Sequence, residues 1–213
     1  MTQGVPLSTR ILLVRHGETA WNREQRIQGH VDIELNALGQ QQAQRLGLAL
    51  ANESLAAIYS SDLQRAHATA LAVGQAQGLT PSIQPALRER HYGAFEGLTF
   101  SEIEQHWPKQ AVAWRARDPQ FAPDGGESLL DLWQRVVPAV QALGAAHLGE
   151  QIMLVTHGGV IDVLYRAASG MDLSAKRTWD LTNTAVNRLL WTPQGLSLVA
   201  WGDTQHLDEF QAH

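Results

Sequence analysis

The 213-residue sequence contains no cysteine, so disulfide scaffolds, zinc–cysteine sites and cysteine nucleophiles are excluded. It also lacks a surplus of positive charge, because 16 lysines and arginines stand against 21 aspartates and glutamates. That balance argues against a nucleic-acid-binding protein. No apolar run is long enough to cross a membrane, and the first residues lack the apolar core of a signal peptide. We therefore expect a cytoplasmic protein that binds neither nucleic acid nor membrane.

What the sequence does contain is an ordinary globular balance of residues. Hydrophobic residues make up 44% and charged residues 17%, which is enough apolar side chain for a sizeable core. No internal repeat, low-complexity tract or linker divides the chain. We therefore expect one domain over residues 1–213.

Short apolar runs alternate with segments that have helical periodicity. Residues 10–15, 55–59 and 151–156 predict strands buried on both faces. Helices are predicted over 38–52, 60–77, 127–147 and 157–168, the third with a kink at Pro138. Residues 186–191 and 196–201 alternate around a turn and predict a hairpin. This order predicts an α/β fold, with a mainly parallel sheet flanked by helices on both faces and a C-terminal hairpin.

Two histidines and two arginines follow the predicted strands. His16 comes after Arg15 at the end of the first strand, Arg65 follows the second, and His157 ends the strand at 151–156. Ligands bind beyond the carboxyl ends of parallel strands, so these side chains are expected to converge. Neutral imidazole is a competent nucleophile, and arginine matches phosphate bidentately. Each residue alone is more typical of a structural role, but the pairing of two histidines at strand ends favours phosphoryl transfer, in which His16 would supply the nucleophile.

The run Leu13–Asn22, LVRHGETAWN, resembles the opening of the histidine phosphatase superfamily, in its phosphoglycerate mutase-like branch. Later segments resemble further blocks of that branch, in the family's order: SSDLQRA at 60–66, LRERHYG at 87–93, GES at 126–128 and VTHGG at 155–159. The resemblance covers roughly residues 10 to 190, and it implies the same α/β fold.

The resemblance also implies roles for individual residues. His16 would become phosphorylated, and Glu89 would donate a proton to the leaving oxygen and then take one from water. His157 would act with them at the catalytic centre, and the phosphate would lie among four residues, Arg15, Asn22, Arg65 and His157. Substrate-binding residues are expected at Arg90, His91, Tyr92 and Arg115. No metal and no organic cofactor is implied, and the expected partner is a small phosphorylated metabolite.

The sequence favours a metal-independent phosphatase over a cofactor-dependent phosphoglycerate mutase. Phe100 and Ala116 stand where those mutases carry a lysine and an arginine, and their extended C-terminal tail has no equivalent. A mutase must hold a second anionic group and exclude water, which these differences oppose. Two further alternatives are weaker. A metal-dependent hydrolase would need ligand spacing such as HExxH, which the sequence lacks, and a non-catalytic binding module would be expected to have lost His16 or His157.

Overall fold

A computed structural model describes residues 7–210 of the chain. Its strands are β1 (Thr9–Arg15), β2 (Ala57–Ser60), β3 (Ser82–Ile83), β4 (Gln151–Thr156), β5 (Val186–Thr192) and β6 (Gly195–Asp203). Its α-helices are α1 (Ala20–Arg23), α2 (Ala37–Ala49), α3 (Gln64–Gln77), α4 (Phe100–His106), α5 (Pro108–Arg115), α6 (Leu129–Ala146) and α7 (Gly158–Ser169). Short 3₁₀ helices occupy Pro85–Leu87, Gly93–Phe95 and Gln205–Phe210. None of the helices in this described part is long and apolar enough to cross a membrane.

The strands form one six-stranded sheet in the order β3-β2-β4-β1-β5-β6. The first four in this order run parallel, while β5 pairs antiparallel with β1 and β6 pairs antiparallel with β5. The predicted α/β fold with a mainly parallel sheet and a C-terminal hairpin is therefore confirmed. The hairpin extends the main sheet, since β5 lies directly beside β1.

The two central strands are buried on both faces because helices cover each side of the sheet. Along β1, Ile11 and Leu13 pack with α6 and α7, whereas Leu12 and Val14 pack with α2 and α3. The strand β4 alternates in the same way. Successive side chains of each strand point to opposite faces of the sheet. Because helices cover both faces, all of these side chains are apolar and the strand reads as a continuous apolar run.

Three local details differ from the sequence-based expectations. The helix after β2 begins at Gln64 rather than at residue 60, because residues 60–63 form the strand end and a turn. The two-residue edge strand β3 was not predicted, since it is too short to show alternation. The helix α6 begins at Leu129 rather than at residue 127, because Ser128 is its N-cap.

The segment between β3 and α6 forms a small layer of its own. Phe95, Ile103 and Ala111 are buried in it, with Tyr92 and Trp114 packed against them. Capping boxes at Thr99 and Ser128 start α4 and α6 and fix the direction in which the chain enters each helix. The layer provides an aromatic wall for the pocket described below.

Candidate active site

Strand register places the two site histidines, His16 and His157, directly beside each other. In the parallel pair β1 and β4, Arg15 lies opposite Thr156, the last residue of each strand. The next residues, His16 and His157, therefore emerge together, and the His16 amide donates to the Thr156 carbonyl at 2.9 Å. Their ring centroids are 5.1 Å apart, and both side chains are buried.

The ring of His16 is fixed by its neighbour in sequence. Its Nδ1 lies 2.7 Å from the Gly17 carbonyl oxygen. A carbonyl oxygen only accepts, so Nδ1 carries the proton and Nε2 of the neutral ring has a free lone pair. Gly17 is required at this turn, because a Cβ there would lie 2.5 Å from the Gly39 carbonyl oxygen at the start of α2.

Burial keeps both histidines neutral. It lowers the pKa of His16 well below its ordinary value, and the positive charges of Arg65 and Arg15 lower it further. The pKa of His157 is lowered in the same way, by burial first and then by Arg65 and by His16. Near neutral pH the structure therefore presents His16 as a neutral ring with an unprotonated Nε2.

The guanidinium groups of Arg15 and Arg65 are each held by backbone carbonyls through their terminal nitrogens. Arg65, fully buried at the first turn of α3, donates to the Val31 carbonyl at 2.9 Å and to the Gly29 carbonyl at 2.8 Å. Arg15 donates through one terminal nitrogen to the Leu181 carbonyl. Burial lowers the pKa of Arg65 to about 10, with the Glu89 charge acting against that shift, so the group stays protonated at neutral pH.

Several buried nitrogen atoms around His16 have no partner within residues 7–210. They are Nε of Arg15, Nε of Arg65 and both ring nitrogens of His157. Buried polar groups in native proteins are almost always hydrogen-bonded, and an unpaired one costs about 1–3 kcal/mol. An oxyanion with several acceptor oxygens, such as phosphate, would accept from the two arginine Nε–H groups and from the one N–H of the neutral His157 ring.

Asn22 is linked to the His16 loop through Asn183. Its Oδ1 accepts from the Thr19 amide at 3.0 Å, which caps the short helix α1. The amide of Asn183 lies 3.5 Å from that oxygen and donates to the His16 carbonyl at 2.8 Å. Asn183 thus ties the His16 loop to the segment before β5. The sequence analysis did not assign Asn183 to the site.

Glu89 lies at the N-terminus of α7. Both of its carboxylate oxygens accept from the Gly159 amide at 3.1 Å, and one also accepts from the Arg90 amide at 2.8 Å. Its own carbonyl accepts from His30 at 2.8 Å and from Arg135 at 3.1 Å. The carboxylate therefore has a fixed position on the rim of the site, where it lines a pocket together with Arg15.

That pocket has a volume of about 660 Å³ and opens outward from Arg15 and Glu89. Of the four predicted substrate-binding residues, Arg90, Tyr92 and Arg115 line it. His91 does not, because its ring stacks on His30 at 4.6 Å and its Nε2 faces Glu96 at 3.7 Å. The structure therefore gives no support to His91 as a substrate contact.

Most of the guanidinium groups in the pocket already have partners. Arg90 donates to the carbonyls of Glu127 and Phe121 at 2.7 and 2.8 Å. Arg115 lies over the Phe100 ring at 4.3 Å and is paired with Glu104. These two arginines thus have structural contacts as well as a place on the pocket wall.

Sequence reasoning missed three further charged residues of the pocket. Lys176, Arg177 and Asp162 line it, as does Arg117. The only sequence signal for the pair at 176–177 was two adjacent cations in an acidic chain. Phe100 lines the pocket, and so do two cationic side chains from other positions, Lys176 and Arg177. Within residues 7–210 no group of three or more histidines, aspartates or glutamates is placed to hold a metal ion.

Comparison with known proteins identifies the family. The model of the histidine phosphatase superfamily (branch 1) matches residues 11–204. The chain belongs to this superfamily. Phosphoglycerate mutase-like protein 4 of Arabidopsis thaliana is 43% identical over 93% of this chain and 87% of the relative. The metal-independent phosphoserine phosphatase of the same plant is 36% identical over 93% of this chain and 83% of its own length. Among solved structures, YhfR of Bacillus stearothermophilus is 36% identical, with a TM-score of 0.87 over 93% of this chain and 99% of that one.

This histidine phosphatase therefore has relatives whose names include both a phosphatase and a mutase-like protein. The motif resemblance found in the sequence and the family match agree. The buried histidine pair and the two arginines come from three motif segments that lie far apart in the chain and meet at one edge of the sheet.

Proposed function

We propose that the chain hydrolyses phosphate monoesters of small metabolites through a phosphohistidine at His16, without a metal ion. One observation carries the proposal: the unprotonated Nε2 of His16 lies among buried nitrogen donors of Arg15, Arg65 and His157 that have no partner within the described residues. Such a set of donors favours a phosphoryl group with three non-bridging oxygens.

In the first step, Nε2 of His16 attacks phosphorus and the ester P–O bond breaks. The leaving oxygen takes a proton from the Glu89 carboxyl group, while Arg15, Arg65, His157 and Asn22 hold the other oxygens. In the second step, water gives a proton to the Glu89 carboxylate and attacks phosphorus. The P–N bond then breaks, and inorganic phosphate and neutral His16 are released.

The test is rapid quench of turnover followed by mass spectrometry of acid-sensitive phosphopeptides. We expect phosphate on His16, and we expect His16→Ala to lose at least about 10³-fold in rate. His106→Ala, at the exposed end of α4, serves as a control and should keep full activity. Label on His157 together with an active His16→Ala variant would contradict the proposal.

The role of Glu89 is tested with two leaving groups. Glu89→Gln should lose much more activity toward alkyl phosphates than toward p-nitrophenyl phosphate, because nitrophenolate leaves without a proton. Equal loss on both substrates would assign the acid to another residue, with Asp62 and Asp124 the next candidates.

Phosphoglycerate mutase activity is the second candidate, and two observations favour it. Several relatives carry mutase or mutase-like names, and the pocket holds cations that the sequence analysis did not anticipate. Against it, residues 204–208 do not line the pocket, and the last 3₁₀ helix packs against α2. The enzyme is therefore to be incubated with 3-phosphoglycerate and catalytic 2,3-bisphosphoglycerate. Formation of 2-phosphoglycerate much faster than phosphate release on a metabolite panel would favour the mutase.

A further inference from the structure

Two cationic side chains that line the pocket differ from its other arginines in having no hydrogen-bond or ion-pair partner within the described residues. Lys176 and Arg177 lie on the segment between α7 and β5 and line the pocket. Neither makes a hydrogen bond or an ion pair within residues 7–210, although both side chains reach solvent. Arg90, Arg115 and Arg117, by contrast, are all bound to carbonyl or carboxylate oxygens.

The segment that carries them is fixed on both sides. Before them, the Leu173 carbonyl accepts from Arg117 at 3.1 Å, and the Asp172 carbonyl accepts from the buried Arg166. After them, the Trp179 ring stacks on Tyr165 with centroids 3.7 Å apart. The two cations are thus held at the pocket edge by contacts that involve neither of their own side chains.

The position of Arg177 concentrates positive charge close to the phosphate-binding arginine. The pKa of Arg15 is lowered mainly by burial, Glu89 acts against that shift, and the charge of Arg177 lowers it further. Like charges placed this close repel each other, and a bound anion relieves the repulsion.

The pocket is also larger than a phosphoryl group requires. Its volume of about 660 Å³ lies within the range of sites that enclose drug-sized ligands. Tyr92, Phe100 and Trp114 line it as well and provide an aromatic wall for the body of a leaving group. A leaving group in this pocket therefore meets an aromatic surface and two unpaired cations.

We propose that Lys176 and Arg177 form a second anion-binding subsite, so that the preferred substrates carry a carboxylate or a second phosphate on the leaving group. This inference rests on the proposed phosphatase function, since the first phosphate must lie at His16. It assigns specificity to the segment between α7 and β5, which the catalytic steps do not use.

The test compares two aryl phosphates that differ only in charge, 3-carboxyphenyl phosphate and its isosteric amide, 3-carbamoylphenyl phosphate. For the unmodified enzyme, kcat/KM for the carboxylate should exceed that for the amide by about tenfold, mainly through KM, and the ratio should fall as salt is added. In the double variant Lys176→Gln/Arg177→Gln the ratio should fall to about one.

A matched control removes two positive charges elsewhere. Lys109, the other lysine of the chain, is exposed on α5, and Arg10 is exposed at the start of β1. Neither lines the pocket, so Lys109→Gln/Arg10→Gln should keep both activity and the carboxylate preference. This control separates a local subsite from a general effect of net charge.

The outcomes distinguish the subsite from the reaction itself. If both esters are hydrolysed at equal rates, the subsite is wrong and the phosphatase function stands. A carboxylate preference that survives in Lys176→Gln/Arg177→Gln would also overturn the assignment. If neither ester is hydrolysed, calorimetry decides: (3-carboxybenzyl)phosphonate should bind more tightly than its amide, and equal binding would overturn the subsite.

Discussion

The neutral state of the buried histidines predicts how stability depends on pH. In the folded protein the pKa values of His16 and His157 are both lowered well below 6.5, first by burial. In the unfolded chain both groups titrate near 6.5, so below that pH the unfolded state binds more protons than the folded state. Stability is therefore fully present above about pH 7.5 and falls as the pH drops through 6.5.

The magnitude follows from proton uptake by the unfolded chain. Between about pH 7.5 and pH 5.5, each histidine that stays neutral in the folded state lowers the free energy of unfolding by about 1.4 kcal/mol, so the pair lowers it by about 2.7 kcal/mol. Most carboxyl groups titrate below this window. The half-buried His30 and His206 also have lowered pKa values, mainly through burial, and they remain in the variant used for comparison.

The assay is urea unfolding followed by circular dichroism at both pH values, for the unmodified protein and for His16→Asn/His157→Asn. We expect the unmodified protein to lose about 2.7 kcal/mol more between the two pH values than the double variant does. An equal loss in both proteins would refute the neutral, buried state of this histidine pair. The lowered pKa of His16 also predicts that protonation of this residue reduces kcat/KM only below pH 6.5.

Three further predictions concern stability and metal dependence. Asp162→Asn should lower the free energy of unfolding in urea by about 3–5 kcal/mol, because it leaves the fully buried Arg166 without a counter-charge. Asp62→Asn, at a more exposed ion pair, should lower it by less than about 1 kcal/mol. Equal losses in the two variants would contradict the burial argument. Gly144→Ala should lower the melting temperature, since the added Cβ would lie 2.4 Å from the buried Trp191 ring and overpacking costs about 1–3 kcal/mol. Activity should survive exhaustive EDTA treatment and be inhibited by vanadate, and activity that returns only with a divalent metal would refute the proposed mechanism.

The fold was predictable from the sequence because its central strands carry unusually plain signals. The apolar runs of β1 and β4 are covered by helices on both faces of the sheet. The run of β1 leads into an Arg-His pair, and the run of β4 leads into a Thr-His pair. Parallel pairing then places both strand ends at one edge. The positions of His16, Arg15, Arg65 and His157 at a common edge follow from that rule alone.

The outer pocket was not predictable to the same degree. Most of its lining residues lie in the segments 85–128 and 171–182, which contain short helices and loops without a sustained period. Whether a loop cation such as Lys176 faces a pocket depends on long-range contacts, here those made by Arg117 and Arg166. The inward position of Tyr92 and the outward stacking of His91, adjacent in sequence, likewise depend on tertiary packing alone.

The pairing of β1 with β4 has a consequence for how the protein matures. Residues more than a hundred positions apart must find a single register before the two histidines meet. A slip of one residue would move one ring by about 3.3 Å along the strand and turn alternate side chains to the opposite face of the sheet. During refolding, the return of enzymatic activity therefore reports when β1 and β4 have paired. Activity should return later than the helical circular dichroism signal.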